Sequence, residues 1–135
     1  MLRRRFLPFR NSSFDVIVAI ELIEHLKKQR AFIDEVRRTL KTGGFILITT
    51  PNRLYSRIFR IVWDPTHMRV LSPNELAQLL SCFNVVVMQS SGIPFLNKLS
   101  EPFARKLARK LGKLLLHVMP FSGPSIWVVA RKDYE

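Results

Sequence analysis

Residues Phe14 to Leu26 read FDVIVAIELIEHL. The first seven, Phe14 to Ile20, form a run of Val, Ile and Ala broken only by Asp15. Such a run predicts a strand buried on both faces, the kind used in parallel sheets. Asn11-Ser12-Ser13 before it reads as a turn. The segment after it, Glu21-Leu22-Ile23-Glu24-His25, starts where the chain leaves the carboxyl end of that strand.

Outward from this strand the pattern alternates. Ala31, Phe32, Val36 and Leu40 have helical spacing and predict a helix over 28–40. Arg37, Arg38 and Lys41 suit its negative end, and Gly43-Gly44 reads as its cap. Phe45 to Thr50, FILITT, predicts a second buried strand, stopped by Pro51-Asn52. Arg53 to Met68 reads as a loop with a short helix. Ser72-Pro73-Asn74-Glu75 is a helix start: Ser72 caps, Pro73 suits the first turn and Glu75 completes a capping box. Leu76, Leu79, Leu80 and Phe83 give that helix an inner face, and Val85 to Gln89 is a third strand. Leu99 to Val118 predicts a basic amphipathic helix, with Leu99, Phe103, Leu107, Leu111, Leu114, Leu115 and Val118 on one stripe. Ile126 to Ala130, IWVVA, is a fourth strand. Strands alternating with helices place the chain in the α/β class, with a mostly parallel sheet. Phe6, Phe9 and Trp127 are expected in the core.

The 135 residues allow one domain, 1–135, with one core, and 47% hydrophobic residues argue against disorder. No apolar run is long enough to span a bilayer, and no signal-like apolar stretch follows the basic Met1 to Arg5. Cys82 is the single cysteine, so an intrachain disulfide and a thiolate metal cluster are excluded; a small buried hydrophobe is the expected role. These features fit the cytoplasm, with the basic helix offering a peripheral membrane contact. The net charge of +12 favours anionic partners, namely nucleic acid, anionic lipid or a phosphorylated substrate, though solubility alone also accounts for it.

Four blocks carry a resemblance. LPF…SSFDVIVAIELIEHL, LKTGGFILITTPN, HMRVLSPNELAQLL and SIWVVARK, spanning Leu7 to Lys132, resemble class I, Rossmann-like, S-adenosylmethionine-dependent methyltransferases. The type 11 and type 12 groups, which include ubiquinone-biosynthesis O-methyltransferases, are the most similar. The resemblance implies a partial sheet made of strands 4, 5, 7 and 6 of the family order, with SIWVVARK inserted antiparallel. It implies S-adenosyl-L-methionine as cofactor and a hydroxyl on a small or lipid-linked molecule as acceptor. The family's glycine-rich cofactor loop has no counterpart: Gly43, Gly44, Gly92, Gly112 and Gly123 include no GxG spacing. The acidic residue that grips the ribose and the one near the adenine are also without counterparts. Ala19, Ile20 and Glu21 are then the cofactor-binding wall that remains, and the chain alone is expected to bind cofactor weakly or not at all. A non-catalytic binding module built on the same half-fold is the alternative.

Glu21, Glu24 and His25 fall on neighbouring positions of a helix start, where two carboxylates and an imidazole could hold a divalent cation. Some relatives use this triplet for Mg²⁺ or a similar ion, completed by a later histidine, and His67 stands where that histidine falls. The competing reading is electrostatic: Glu21 and Glu24 suit a helix N-terminus and His25 packs locally. His25 or His67 is also the candidate catalytic base. The helix over 99–118 is read in three ways: membrane-surface contact, polyanion groove, or ordinary packing on the sheet. Without the first three family strands, the strand at 14–20 becomes an open edge, which predicts a homodimer or an N-terminal partner segment pairing there.

Overall fold

The computed structural model describes residues 7–59, 65–91 and 123–133. The helix expected at 99–118, and Phe6, lie outside the described residues. Strand β1 (Phe14–Ile20) leads through a short 3₁₀ turn (Ile23–His25) into helix α1 (Gln29–Thr39), then β2 (Leu40–Pro51) and α2 (Arg53–Phe59). Helix α3 (Pro73–Leu79), β3 (Asn84–Ser91) and β4 (Ser125–Arg131) follow. The sheet order is β1-β2-β4-β3. β1 and β2 pair parallel, while β4 inserts antiparallel between β2 and β3. The mostly parallel sheet therefore needs one correction. Three strands share a direction, but the inserted β4 leaves only one parallel pairing among the described strands.

One face of the sheet carries the core. Ala19, Ile46, Ile48, Ile126, Val128 and Ala130 meet Phe32, Ile33 and Val36 of α1 and Leu76 of α3, all of them buried. α1 packs there because its apolar residues recur every three or four positions, as expected for a helix on a sheet. Leu80 and Phe83, just past α3, close the same core. Cys82 is half-buried against it rather than buried.

The other face overturns the expectation that β1 is buried on both sides. Val16, Val18 and Ile20 alternate along β1 and are 57%, 54% and 64% exposed. The register extends this face across the sheet: Val18 lies opposite Leu47, Leu47 opposite Val129, and Val129 opposite Val87. Phe45 and Trp127 lie in adjacent rows and are exposed, so Trp127 is not a core residue. Phe9 is exposed too, its ring meeting Phe14 edge-on at 4.9 Å. The Val/Ile run was read correctly as a strand. Its apolar outer face, however, is the one that helices on both sides of an α/β sheet would cover. Among the described strands, β1 stands at one end of the sheet order.

Gly43-Gly44 does not cap α1. The helix ends at Thr39, Leu40 is already extended, and the chain runs straight into β2. The glycines instead sit in a bulge of β2, where the register with β1 slips between Phe14↔Leu40 and Val16↔Phe45. Gly43 has φ 78°, and its N–H donates to the Lys132 carbonyl at 2.8 Å. A Cβ on Gly44 would lie 2.7 Å from the Asp15 carbonyl oxygen and 2.9 Å from that of Lys41, both backbone atoms. Gly44→Ala is therefore expected to cost about 1–3 kcal/mol, the usual range for forced overpacking. Urea unfolding measures it, and an unchanged midpoint would mean the bulge is not held closed by this contact.

The helix start at Ser72 is built as the sequence predicts. The Ser72 N–H donates to Glu75 Oε2 at 2.8 Å, and the Glu75 N–H donates to Ser72 Oγ at 3.3 Å. That backbone bond, with Arg53 at 2.8 Å and Arg69 at 3.4 Å, holds the Glu75 carboxyl below its ordinary value. Asn52 at the end of β2 bridges to Leu71 just before this start, so the chain returns to the sheet's carboxyl edge there.

Candidate active site

Because β1 and β2 run parallel, their carboxyl ends open on one edge. The Glu21 N–H donates to the Thr49 carbonyl at 3.0 Å and to Thr49 Oγ1 at 3.2 Å, tying the two exits together. Glu21 takes φ 45°, a left-handed backbone that a non-glycine residue adopts at a cost and that gathers at functional sites. This bend sends Leu22 to His25 back across the end of the sheet, in a turn that buries Ile23 and Glu24 completely.

Glu24 is the centre of the arrangement. Its Oε2 accepts from Thr50 Oγ1 at 3.1 Å, whereas Oε1 has no hydrogen-bond donor among the described residues. His25 Nε2 lies 3.9 Å from it. A fully buried carboxylate oxygen without a donor is costly, so its place calls for a ligand, a shared proton or a cation. The Glu24 carbonyl accepts from the Met68 N–H at 2.8 Å and the Arg69 N–H at 3.1 Å. Gln29 Nε2 donates to the Ile23 and Arg69 carbonyls, both at 2.9 Å. These bonds lock residues 66–69 onto the turn and carry His67 to His25, with ring centroids 4.8 Å apart in an edge-on arrangement.

His25 Nδ1 lies 3.2 Å from the Thr66 carbonyl, which can only accept, so Nδ1 carries the proton and donates. Nε2, on the other side of the ring, faces Glu24. One ligand atom each from Glu24, His25 and His67 lies within 4.8 Å of the others. Glu21 stands beside this trio without joining it. It is exposed as a residue, yet its carboxyl is pushed above the ordinary value, first by partial burial and then by the Glu24 charge.

The four residues singled out from the ExxEH segment and WDPTH thus meet at one edge, and Glu24, His25 and His67 form the closest set. The cofactor wall is less uniform. Ala19 points into the core at 2% exposed, Ile20 is on the open face, and Glu21 sits at the bend. Thr50 was missed as a site residue. Its signal was there, since a hydroxyl at the carboxyl end of the neighbouring parallel strand is bound to face the first strand's exit. Among the described residues, no helix is long and apolar enough to cross a membrane.

Comparison with known proteins agrees with this architecture. Residues 3–90 match the family described as a methyltransferase domain. A probable S-adenosylmethionine-dependent methyltransferase of Mycolicibacterium smegmatis is 38% identical over 88 residues, which is 64% of this chain and 34% of that protein. A ubiquinone biosynthesis O-methyltransferase of Bartonella quintana is 28% identical over 126 residues, covering 84% of this chain and 51% of that one. The chain thus spans about a third to a half of the length of these relatives. The crystal structure of a SAM-dependent methyltransferase from Archaeoglobus fulgidus superposes with a TM-score of 0.64 at 24% identity, over 92% of this chain and 62% of that one. From the matched residues and the sheet order, the chain belongs to the methyltransferase domain family of Rossmann-like, S-adenosylmethionine-dependent enzymes.

Proposed function

We propose that this chain forms the acceptor side of an S-adenosylmethionine-dependent O-methyltransferase. The observation that carries the reading is the convergence of Glu24, His25 and His67 at the carboxyl edge of β1 and β2, where open α/β sheets bind ligands. S-adenosylmethionine supplies an electrophilic sulfonium methyl. His25 Nε2 takes the proton of the acceptor hydroxyl as its oxygen gains the methyl, and the buried Glu24 carboxylate stabilises the imidazolium that results. Positioning does the remainder of the work, since an in-line displacement needs alignment more than a catalytic triad. The ubiquinone-pathway names among the relatives support oxygen as the methylated atom.

A second reading has a specific observation behind it, the donorless Oε1 of Glu24. Glu24, His25 and His67 would hold a divalent cation there, which would orient and acidify the hydroxyl. The resemblance implied Mg²⁺. One carboxylate and two imidazoles are instead the donors of a first-row transition dication, because Mg²⁺ prefers an all-oxygen shell. The free edge of β1 is, in the same proposal, the seam that receives the strands completing the sheet, from a longer chain or from a second copy.

The test fuses the first three strands of the mycolicibacterial relative upstream of this chain and follows labelled methyl transfer to a phenolic acceptor. Transfer that falls about a hundredfold in His25→Ala is expected for a proton acceptor. Loss on chelation, restored by Mn²⁺, selects the cation reading. A fusion that binds S-adenosylhomocysteine yet transfers equally well without His25 would overturn the site.

A further inference from the structure

Strand β2 carries a core row, Ile46, Ile48 and Thr50, all completely buried. Alternation along a strand puts these three side chains on one face, so position 50 is one where an aliphatic residue would continue the core. A hydroxyl stands there instead. β1 ends at Ile20, opposite Thr49, so Thr50 is the first residue of β2 beyond the reach of β1. On its other side Thr50 stays paired with Ile126 of β4, which fixes its backbone. The turn that follows β1 brings the Glu24 carboxyl over this position, and Thr50 Oγ1 donates to Oε2 at 3.1 Å. Oε1, which has no donor among the described residues, is the oxygen that lies 3.9 Å from His25 Nε2. The two oxygens therefore have separate neighbours: one is tied to the sheet and the other faces the imidazole. Packing alone does not call for this pair, because replacing both partners of a buried hydrogen bond by apolar groups of the same shape is often neutral or stabilising. What the pair supplies is direction. A β-branched side chain has few χ1 settings, so Oγ1 is a fixed point on a paired strand, and a bond from it to one carboxylate oxygen sets where the other oxygen points.

We propose that Thr50 is a positioning residue of the candidate site: it ties down Glu24 Oε2 so that Oε1 is held toward His25. The same orientation serves either use of Oε1, as the partner of an imidazolium or as a ligand to a cation. Thr50 sits on the core face and meets the site only through Glu24, so it affects the chemistry without touching an acceptor. The effect on methyl transfer rests on the methyltransferase reading; the orientation of Glu24 toward His25 does not.

The experiment has two arms. In the fused enzyme, Thr50→Val is expected to lower kcat at least about tenfold with KM unchanged, and Thr50→Ser, which restores the hydroxyl, to recover kcat to within about threefold. Thr39→Val is the matched control. Thr39 is as completely buried, its hydroxyl donates to the Glu35 and Val36 carbonyls, and its loss should weaken folding without moving kcat. In a Glu24→Leu background, where no carboxylate remains to be oriented, Thr50→Val should cost no further activity. Should Thr50→Val fail to fold, Thr50→Cys takes its place; its thiol is a weak donor, so it should lose more kcat than Thr50→Ser at the same KM. The second arm needs no methyl transfer. In the 135-residue chain, kept free of metal with a chelator, the ring ¹⁵N resonances of His25 should move in Thr50→Val and stay in place in Thr39→Val. Equal kcat in those two variants, or His25 resonances indifferent to Thr50, would overturn the proposal. Full transfer by His25→Ala would remove the methyltransferase reading instead, and the resonances would then decide the role of Thr50 alone.

Discussion

Titration of S-adenosylhomocysteine into the 135-residue chain by itself will give no binding tighter than about 1 mM. Of the three residues left to form the cofactor wall, Ala19 turns into the core and Ile20 offers only hydrocarbon. Glu21 alone has a polar side chain, and its carboxyl already interacts with Thr49 and Glu24. No two of the five glycines have the GxG spacing of a loop that admits the amino-acid end of the cofactor. Hydrogen bonds to charged groups contribute about 1.5–3 kcal/mol each, so forgoing two or three of them raises Kd by roughly two to six orders of magnitude. The apolar face of β1, with Val16, Val18 and Ile20 open, points the same way, since it is a surface waiting for cover rather than a finished wall. Stoichiometric micromolar binding would sink this expectation and show that the chain folds a complete pocket from its own residues.

What could be read from the sequence follows from what each signal depends on. Element type rests on local periodicity, and there the reading was good: β1 begins and ends at Phe14 and Ile20, α1 falls within one residue of its expected ends, and the Ser72–Glu75 capping box is bonded in both directions. Burial rests on partners elsewhere in the chain, and there it failed. An all-apolar run says that both faces of a strand belong inside, not that both are covered, so Val18 and Trp127 were placed in a core that does not reach them. Glycine was ambiguous for a related reason. Gly43-Gly44 after a helical pattern looks like a cap, but Leu40 is already extended, and it is the approach of the Asp15 carbonyl that requires Gly44. The ExxEH segment gave three site residues by spacing. Thr50 lies at the carboxyl end of β2, but its bond to Glu24 depends on how the turn folds back over the sheet; His67 was named through the resemblance, and the Met68 and Arg69 N–H bonds to the Glu24 carbonyl are what bring it to His25.

Replacing Glu24 will separate its two possible roles, because they predict opposite signs. If Glu24 were a structural residue, removing it would leave Thr50 without its acceptor and destabilise the fold by the 2 kcal/mol or more, roughly, that a broken buried polar contact costs. The geometry argues otherwise. Glu24 is fully buried, only one of its two oxygens has a donor, and His25 at 3.9 Å is too far for a hydrogen bond. Desolvating a carboxylate costs several kcal/mol, roughly, and the single Thr50 bond returns about 1 kcal/mol of it. Glu24→Leu is therefore expected to raise the unfolding free energy by about 1–2 kcal/mol, read as a higher urea midpoint with an unchanged slope. In the fused enzyme the same substitution should lower methyl transfer about a hundredfold, because His25 loses the carboxylate that stabilises its charged form and any cation loses its only anionic ligand in the trio. Gain of stability with loss of activity is the mark of a group kept for chemistry. A Glu24→Leu chain that unfolds at lower urea would reassign Glu24 to the scaffold, leaving His25 and His67 to act without it.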